Sequence, residues 1–269
     1  MIGYNISFMS RNGYINSIST GHNRSILTLP SNFNNMFVAW CMSKLSCAQL
    51  IQYGETGMTM SQAELGVLHE YIGRSKSYLE FGSGESTKYA VSVPSLTTIN
   101  SVESSSEFLQ NHFMQTPEIQ QAVNQGRLTF HTFDFGEMGK WGHLKSRKKK
   151  HLWPNFALAV FSQPQNPDLV LIDGRFRVAS TLSTILNTPQ DTKIMIHDFW
   201  NRPRYHILLN FLDVESQVDT LGVFTKKSVL KTKKMQSLLR KYQYLPKDKN
   251  LGIVIMSELR RLFNPKNKQ

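Results

Sequence analysis

The sequence predicts an α/β fold in which helices cover both faces of a mostly parallel β-sheet. From residue 59 onward, short apolar stretches of strand length alternate with stretches of helical periodicity. A turn rich in small residues follows the first of these strands. Acidic residues stand at the ends of the later strands, where sheets of this kind bind their ligands. These three observations place a ligand site at the carboxyl edge of the sheet.

The first part of the chain differs in composition from the rest. Residues 1–54 contain no acidic residue and are rich in Asn, Ser and Gly up to Asn35, which predicts a partly disordered extension with one helix over Met36–Ile51. Residues 55–269 are predicted to form one domain, since 40% of the chain is hydrophobic. The chain has two cysteines and no apolar run approaching the ~18 residues of a membrane span. We therefore expect a cytoplasmic protein with reduced thiols.

The predicted domain begins with a helix and then alternates strands and helices. Ser61 and Glu64 form a capping-box pattern before apolar residues at helical spacing. The predicted strands are Tyr78–Phe81, Leu96–Val102, Leu128–Phe133, Leu169–Ile172, Ile194–Ile196, Val218–Phe224 and Gly252–Met256. The predicted later helices are Phe156–Phe161, Val178–Leu186, Asn201–Leu212 and Ser228–Tyr242.

The turn after the first strand is the most informative motif. It reads Leu79-Glu-Phe-Gly-Ser-Gly-Glu-Ser-Thr87, and its small residues let the backbone come close to a ligand. Glu103, at the end of the next strand, can accept two hydrogen bonds from the hydroxyls of a ribose. Thr87 stands where a dinucleotide fingerprint has a third glycine, and Glu80 would repel a pyrophosphate. The motif therefore predicts a nucleoside ligand without phosphates, and it suits one that carries positive charge.

This motif resembles the first motif of class I S-adenosylmethionine-dependent methyltransferases, and the resemblance extends over roughly residues 59–258. It implies a Rossmann-like sandwich whose seven-stranded sheet has the order 3-2-1-4-5-7-6 with an antiparallel last strand. It also implies S-adenosylmethionine as the cofactor, whose positive charges tolerate Glu80 nearby. The cofactor-binding residues that follow from the resemblance are Glu80, Gly82, Ser83, Gly84, Ser86, Thr87, Glu103 and, for the adenine, Asp134.

The fourth strand ends at Asp173, in the corner that faces both cofactor and acceptor in the family. The alternative reading of Asp173 is a cap on the following helix. Arg175 and Arg177 place two positive charges on one turn. They either clamp an anionic group of the substrate or pair with Asp173 or Asp198.

The fifth strand ends at His197 and Asp198, beside the expected cofactor cleft. A hydroxyl acceptor must lose its proton as the methyl group arrives, and His197 is a candidate general base. Alternatively, Asp173 and Asp198 bind a divalent ion such as Mg²⁺, with Asn201 as the candidate third ligand. A third reading makes His197 a core histidine bonded to the backbone. The sequence leaves these mechanisms open.

The segments Asp173–Ala179 and His197–His206 also resemble a small group of bacterial and viral methyltransferases, which includes a methyltransferase domain of a chlorovirus glycan-building protein. This resemblance implies a sugar or glycan hydroxyl as the acceptor, with Arg202 and Tyr205 among the substrate-binding residues. Trp141 lies in the loop before the fourth strand. Its indole either stacks on a sugar face or anchors that loop in the core.

Two basic segments carry the excess positive charge of the chain. The net charge is +12, and Lys140–His151 and Lys226–Lys247 hold six and eight Lys or Arg residues without an acid. Such segments attract an anionic acceptor, or they are solvated surface. They make an RNA ribose methyltransferase the alternative to a glycan enzyme, and a non-catalytic cofactor-binding module is the third reading. The Asn/Asp-Pro-Pro-aromatic motif of amino methylation is absent from the fourth strand, which disfavours a base as acceptor.

Overall fold

The structure is a computed structural model that describes residues 18–20, 23–25, 60–139 and 143–247. The chain divides into two compact units, residues 1–58 and 59–269. In the first unit, the described residues form a two-stranded antiparallel ladder of β1 (Ile18–Thr20) and β2 (Asn23–Ser25). The helix predicted over Met36–Ile51 lies outside the described residues.

A seven-stranded sheet forms the centre of the second unit. In chain order the strands of this unit are β3 (Ser77–Phe81), β4 (Thr98–Glu103), β5 (Leu128–Thr132), β6 (Met138–Gly139), β7 (His143–Leu144), β8 (Leu169–Ile172), β9 (Lys193–Ile196), β10 (Leu212–Val218) and β11 (Leu221–Lys226). The sheet has the order β5-β4-β3-β8-β9-β11-β10, and β6 pairs with β7 separately. Strands β5, β4, β3, β8 and β9 are parallel, whereas β11 is antiparallel to both β9 and β10. The predicted fold class and strand order are confirmed.

The last two strands differ from the predicted ones. The stretch predicted as one strand, Val218–Phe224, contains the turn at Asp219 and Thr220 that joins β10 to β11. Asp219 occupies the left-handed region with φ of 46°, a conformation that glycine adopts most readily. This hairpin supplies the sixth and seventh strands. The stretch Gly252–Met256, predicted as the last strand, lies outside the described residues.

Helices pack on both faces of the sheet. The described α-helices of this unit are α1 (Gln62–Arg74), α2 (Glu85–Ser92), α3 (Ser106–His112), α4 (Pro117–Asn124), α5 (Pro154–Leu158), α6 (Arg177–Asn187) and α7 (Thr232–Tyr242). Three stretches are 3₁₀-helices, namely Lys150–Leu152, Ala159–Ser162 and Pro203–Asn210. The helix predicted over 156–161 is therefore split, and the one predicted over 201–212 is 3₁₀-helical. None of the described helices is long and apolar enough to cross a membrane.

Two apolar clusters fill the space between the sheet and its helices. Along β8, Val170 and Ile172 belong to one cluster, and Leu169 and Leu171 belong to the other. This alternation follows from the two-residue period of a strand, which turns successive side chains to opposite faces. Because β8 and β9 are covered on both faces, Leu169–Ile172 and Ile194–Ile196 are continuous apolar runs rather than alternating ones. The polar residues that follow these runs therefore collect at the carboxyl edge.

Candidate functional site

The loops that follow β3 and β8 approach each other so closely that both need glycine. Gly82 has φ of 102°, which favours glycine. A Cβ atom at Gly82 would lie 2.7 Å from the Cα of Gly174, and one at Gly174 would lie 2.8 Å from the carbonyl oxygen of Phe81. The prediction included Gly82 but missed Gly174, although its position next to the strand-ending Asp173 was visible in the sequence.

Glu80 lies beneath the glycine turn and has no exposed surface. Its carboxylate accepts hydrogen bonds from four hydroxyl groups, those of Tyr78, Ser86, Thr87 and Ser101. Burial raises the pKa of Glu80, and these hydrogen bonds oppose the rise. Glu80 thus fixes the turn and the start of α2. The N–H of Gly84 donates to the hydroxyl of Thr87 and completes the same arrangement.

Glu103 ends β4 at the same edge of the sheet. Its Oε1 accepts hydrogen bonds from the backbone N and the hydroxyl of Ser104 and from the N of Ser105. Its Oε2 accepts one hydrogen bond from the described residues, from the N of Ser83 at 3.2 Å. Burial raises the pKa of Glu103, and the hydrogen bonds oppose this. The carboxylate is therefore fixed in position while Oε2 keeps lone pairs for further donors. Two neighbouring hydroxyls of a ribose are donors of the kind that fits it.

Asp134 follows β5 and is largely exposed. It accepts a hydrogen bond from the N of Gly136 at 2.8 Å and forms an ion pair with Lys149. The hydrogen bond from Lys149 is the main cause that lowers the pKa of Asp134. The sequence did not indicate Lys149 as a partner, because the two residues are brought together by the loop between them. Trp141, in that loop, lies outside the described residues.

A buried guanidinium joins the ends of β8 and β9. Arg177 is 8% exposed, its Nη2 lies 2.8 Å from Oδ1 of Asp173, and its Nη1 lies 3.2 Å from Oδ2 of Asp198. Its N–H groups also donate to three carbonyl oxygens, those of Asp173, Gly174 and His197. Of the two readings offered by the sequence for this arginine, pairing with the two acids is the one present. Arg175, two residues earlier, is half-buried.

His197 has three carboxylates around its ring and is 2% exposed. Its Nδ1 is 2.9 Å from Oδ1 of Asp173 and 3.8 Å from Oδ2 of Asp198, and its Nε2 is 3.6 Å from Oε2 of Glu64. Burial alone would lower the pKa of His197, but the hydrogen bond and charge of Asp173 raise it above its ordinary value of 6.5. Both ring nitrogens thus face carboxylates, and the ring is buried. This geometry favours a buried structural histidine, tied to side chains, over the predicted general base.

Asp173 keeps one carboxylate oxygen open. Its Oδ1 faces Arg177 and His197, whereas no described residue donates a hydrogen bond to its Oδ2, and the side chain is 26% exposed. Burial alone would raise the pKa of Asp173, but the charges of Arg177 and His197 lower it. The corner therefore offers an ionised carboxylate with a free oxygen, next to the glycine turn.

Asp198 has both oxygens engaged. Its Oδ2 forms ion pairs with Arg177 and with Arg202, the latter at 2.6 Å, and its Oδ1 accepts from Nδ2 of Asn201 at 3.1 Å. Asp198 also has φ of 57°, a costly conformation for a residue with a side chain, and such strain concentrates at functional sites. Tyr205 is buried, and its hydroxyl accepts a hydrogen bond from Nη1 of Arg202 at 3.3 Å. Arg202 and Tyr205, two of the predicted substrate-binding residues, therefore stabilise the position of Asp198.

Glu64 connects the corner to α1 and was missed as a site residue. The predicted capping box is confirmed, since the side chain of Ser61 accepts from the N of Glu64 and Glu64 accepts from the N of Ser61. Oε1 of Glu64 also accepts three hydrogen bonds of 2.7–3.0 Å from the N and hydroxyl of Thr220 and the N of Leu221. Its Oε2 faces His197. The sequence indicated only the cap, because the other contacts depend on the turn between β10 and β11.

The two basic segments meet on the surface. Nζ of Lys150 lies 5.3 Å from the ring centroid of Tyr244, and Leu152 and Leu245 pack against the same core. The ring of Trp153, which follows Leu152 in the chain, is tilted against that of Phe176 with centroids 5.9 Å apart. Phe176 lies in the loop after Asp173, so the first basic segment contacts this loop through the core. Within the described part of the chain, most basic side chains of this surface form no ion pair, namely Arg147, Lys148, Lys150, Lys231, Lys233, Lys234, Arg240 and Lys241.

No protein-family profile and no curated protein match the sequence. Among solved structures, the chain is similar to a methyltransferase-like protein (spo2022) from Silicibacter pomeroyi DSS-3, with 27% identity, a TM-score of 0.57 and coverage of 70% of this chain and 96% of that one.

Two further solved structures have TM-scores below 0.5, so the fold comparison rests on the first protein. One is a candidate caffeoyl-CoA O-methyltransferase from Staphylococcus aureus, with 12% identity, a TM-score of 0.45 and coverage of 71% and 97% of the two chains. The other is the tRNA methyltransferase TrmK of B. subtilis, with 11% identity, a TM-score of 0.37 and coverage of 66% of this chain and 74% of that one. The sheet order of the chain and its similarity to the methyltransferase-like protein from Silicibacter pomeroyi show that the chain has a Rossmann-like methyltransferase fold.

Proposed function

We propose that the chain is an S-adenosylmethionine-dependent O-methyltransferase that acts on a sugar hydroxyl. The observation that carries the proposal is the arrangement at one edge of the sheet. There, the backbones of Gly82 and Gly174 are in close contact. The strands that lead to Glu103 and to Asp173, which has an open oxygen, flank β3 on its two sides. The similarity to a methyltransferase-like protein supports the same activity.

The residues of the glycine turn fit the proposed cofactor. Gly82 allows close backbone approach, Ser83 and Glu103 hold each other through a hydrogen bond, and Oε2 of Glu103 can accept from a ribose. Asp134, which forms an ion pair with Lys149, would contact the adenine. When bound, S-adenosylmethionine supplies a methyl group attached to a positively charged sulfur.

Asp173 is the residue best placed to receive the proton of the acceptor. A hydroxyl oxygen becomes a strong acid as it gains a methyl group, so even a carboxylate with a lowered pKa can take its proton late in the reaction. Oδ2 of Asp173 would first accept a hydrogen bond from that hydroxyl and orient it. His197 and Asp198 then act by holding Asp173 and Arg177, and His197 does not serve as the base. No metal is required for this step.

The acceptor that we propose is a sugar of a glycan. The resemblance of the two strand-end segments to glycan-modifying methyltransferases supports a glycan sugar, with Arg175, Arg202, Tyr205 and Trp141 as the residues around it. RNA ribose is the second candidate. It is favoured by the basic surface formed where the two basic segments meet, because lysines and arginines attract phosphate groups. Both candidates present the same chemical group, a sugar hydroxyl.

The test is a methyl-transfer assay with the full chain, labelled S-adenosylmethionine and two acceptor panels, one of nucleotide-sugars and neutral or acidic oligosaccharides and one of oligoribonucleotides. On an acceptor that is methylated, Asp173→Asn should reduce turnover by about 100-fold. Asp213→Asn is the control, because Asp213 forms an exposed ion pair with Lys227. Cofactor binding without transfer to either panel would favour the non-catalytic module, and full activity of Asp173→Asn would refute the proposed site.

A further inference from the structure

We infer that Arg177 supplies the cation of the acceptor corner, in the position that a divalent metal would share between Asp173 and Asp198. The inference deepens the proposed function and rests on it for its catalytic meaning. Asp173, His197 and Asp198 are the group of described residues whose ligand atoms come close enough for a metal, within 4.8 Å of one another. Their mutual arrangement, however, is organised by a guanidinium.

The contacts of Arg177 leave no opening for an ion between the two acids. A divalent cation needs carboxylate lone pairs at about 2.0–2.6 Å. Oδ1 of Asp173 and Oδ2 of Asp198, the two oxygens that face Arg177, are instead 2.8 Å and 3.2 Å from the guanidinium nitrogens. Asn201 presents its Nδ2 to the remaining oxygen of Asp198. The candidate third ligand therefore acts as a donor in this arrangement, whereas a metal needs an acceptor.

Three backbone carbonyl groups also hold the guanidinium of Arg177. Nε donates to the carbonyl of Gly174 at 3.0 Å, Nη2 donates to the carbonyl of Asp173 at 3.0 Å, and Nη1 donates to the carbonyl of His197. With the two carboxylates, these five acceptors match the five N–H groups of an arginine. Expelling the side chain to admit a metal would strand a buried charge and unpair three strand-end carbonyls, which is strongly unfavourable. A lysine, with three donors and no planar fork, cannot make the same contacts.

This arrangement gives Arg177 a defined task. It binds Oδ1 of Asp173 and thereby leaves Oδ2 for the acceptor hydroxyl, and it fixes the end of β9 against the end of β8. Arg177 is a positioning residue in this account, because it acts through Asp173. The corner contains a positive charge from the start, so it needs no cation from solution.

The test measures Mn²⁺ binding by titration calorimetry and electron paramagnetic resonance, with the full chain and without acceptor. We expect no Mn²⁺ site in wild type at millimolar concentration. Arg177→Ala should expose the two carboxylates and bind one Mn²⁺, and Arg177→Ala combined with Asp198→Asn should lose it. Arg240→Ala is the control, because Arg240 is exposed on α7 and forms no ion pair with described residues. Arg177→Lys should show reduced turnover with an unchanged cofactor Kd.

A single Mn²⁺ bound by wild type and lost in Asp198→Asn would overturn the inference, as would activity that chelation removes and Mg²⁺ restores. A folded Arg177→Ala that binds no Mn²⁺ would also contradict it. If Arg177→Ala does not fold, the comparison of wild type with Asp198→Asn decides the question alone. Because Mn²⁺ binding needs neither cofactor nor acceptor, this outcome is separate from failure of the proposed methyl transfer.

Discussion

The buried acid Glu64 gives the sharpest test of how the acceptor corner is supported. Replacing Glu64 by Gln keeps the shape of the side chain and exchanges one oxygen for an amide. The amide oxygen can keep the three donors at Oε1, but as a neutral acceptor. The new NH₂ group then faces the N–H of Ser61 and Nε2 of His197, both of which approach Oε2 in wild type.

The size of the effect follows from these contacts. Losing a hydrogen bond to a charged group costs about 1.5–3 kcal/mol, and a donor left unpaired in the interior adds about 1–3 kcal/mol. Since the amide can keep three bonds, we expect a loss in the free energy of unfolding of about 2–4 kcal/mol. The same change should lower the pKa of His197, because one of the three carboxylates around its ring loses its charge.

The assay combines thermal unfolding with NMR titration of the His197 ring. Glu70→Gln is the matched control, because Glu70 lies on the same helix and forms a solvent-exposed ion pair with Arg74. Such surface pairs contribute about 0–1 kcal/mol, so the control should unfold nearly as wild type does. If Glu64→Gln is as stable as Glu70→Gln and the His197 pKa is unchanged, the proposed support of the corner is wrong.

Three further outcomes are expected. Gly174→Ala should destabilise the fold by about 1–3 kcal/mol, because its Cβ would meet the backbone at the end of β3. Gly66→Ala in α1 is the control, because a Cβ there has open space around it. Equal melting temperatures of the two variants would contradict this. Because the pKa of His197 is raised, its stabilising contribution is full below pH 6.5 and is lost as the pH rises through the folded-state value. The melting-temperature difference between wild type and His197→Gln should therefore shrink at alkaline pH, and a constant difference would refute the assignment. Changing Lys148 and Lys150 to Ala should weaken binding of an oligoribonucleotide at low salt and less so at high salt, since charges are screened over ~10 Å at 0.1 M; a salt-independent loss would argue against simple attraction.

The sheet could be predicted because its determinants are local. Apolar runs such as Leu169–Ile172 mark strands that are covered on both faces, and the acids and glycines that follow them mark the ligand edge. The strand order came from the resemblance carried by the glycine turn. The β10–β11 hairpin was missed because its turn uses Asp219 at positive φ, and no glycine stands at that position.

The chemistry of the corner was harder to predict because it depends on contacts between distant segments. The sequence placed Asp173, His197 and Asp198 together, but it left open a base, a metal and a core histidine. Two residues decide the electrostatics there: Arg177, which lies between the acids, and Glu64, which closes the other side of the histidine ring. The sequence offered pairing with an acid only as one of two readings of Arg177, and it did not indicate the role of Glu64, which depends on the packing of α1 against the strand ends.

The central claim, that the glycine turn and Glu103 bind S-adenosylmethionine, is tested most directly by titration calorimetry with S-adenosylhomocysteine. Wild type should bind one equivalent. Glu103→Ala should bind at least about 10-fold more weakly, because hydrogen bonds to a charged acceptor contribute about 1.5–3 kcal/mol. Glu107→Ala, on the exposed start of α3, should bind as wild type does. Absence of binding to wild type, or equal affinity of Glu103→Ala and wild type, would contradict the account.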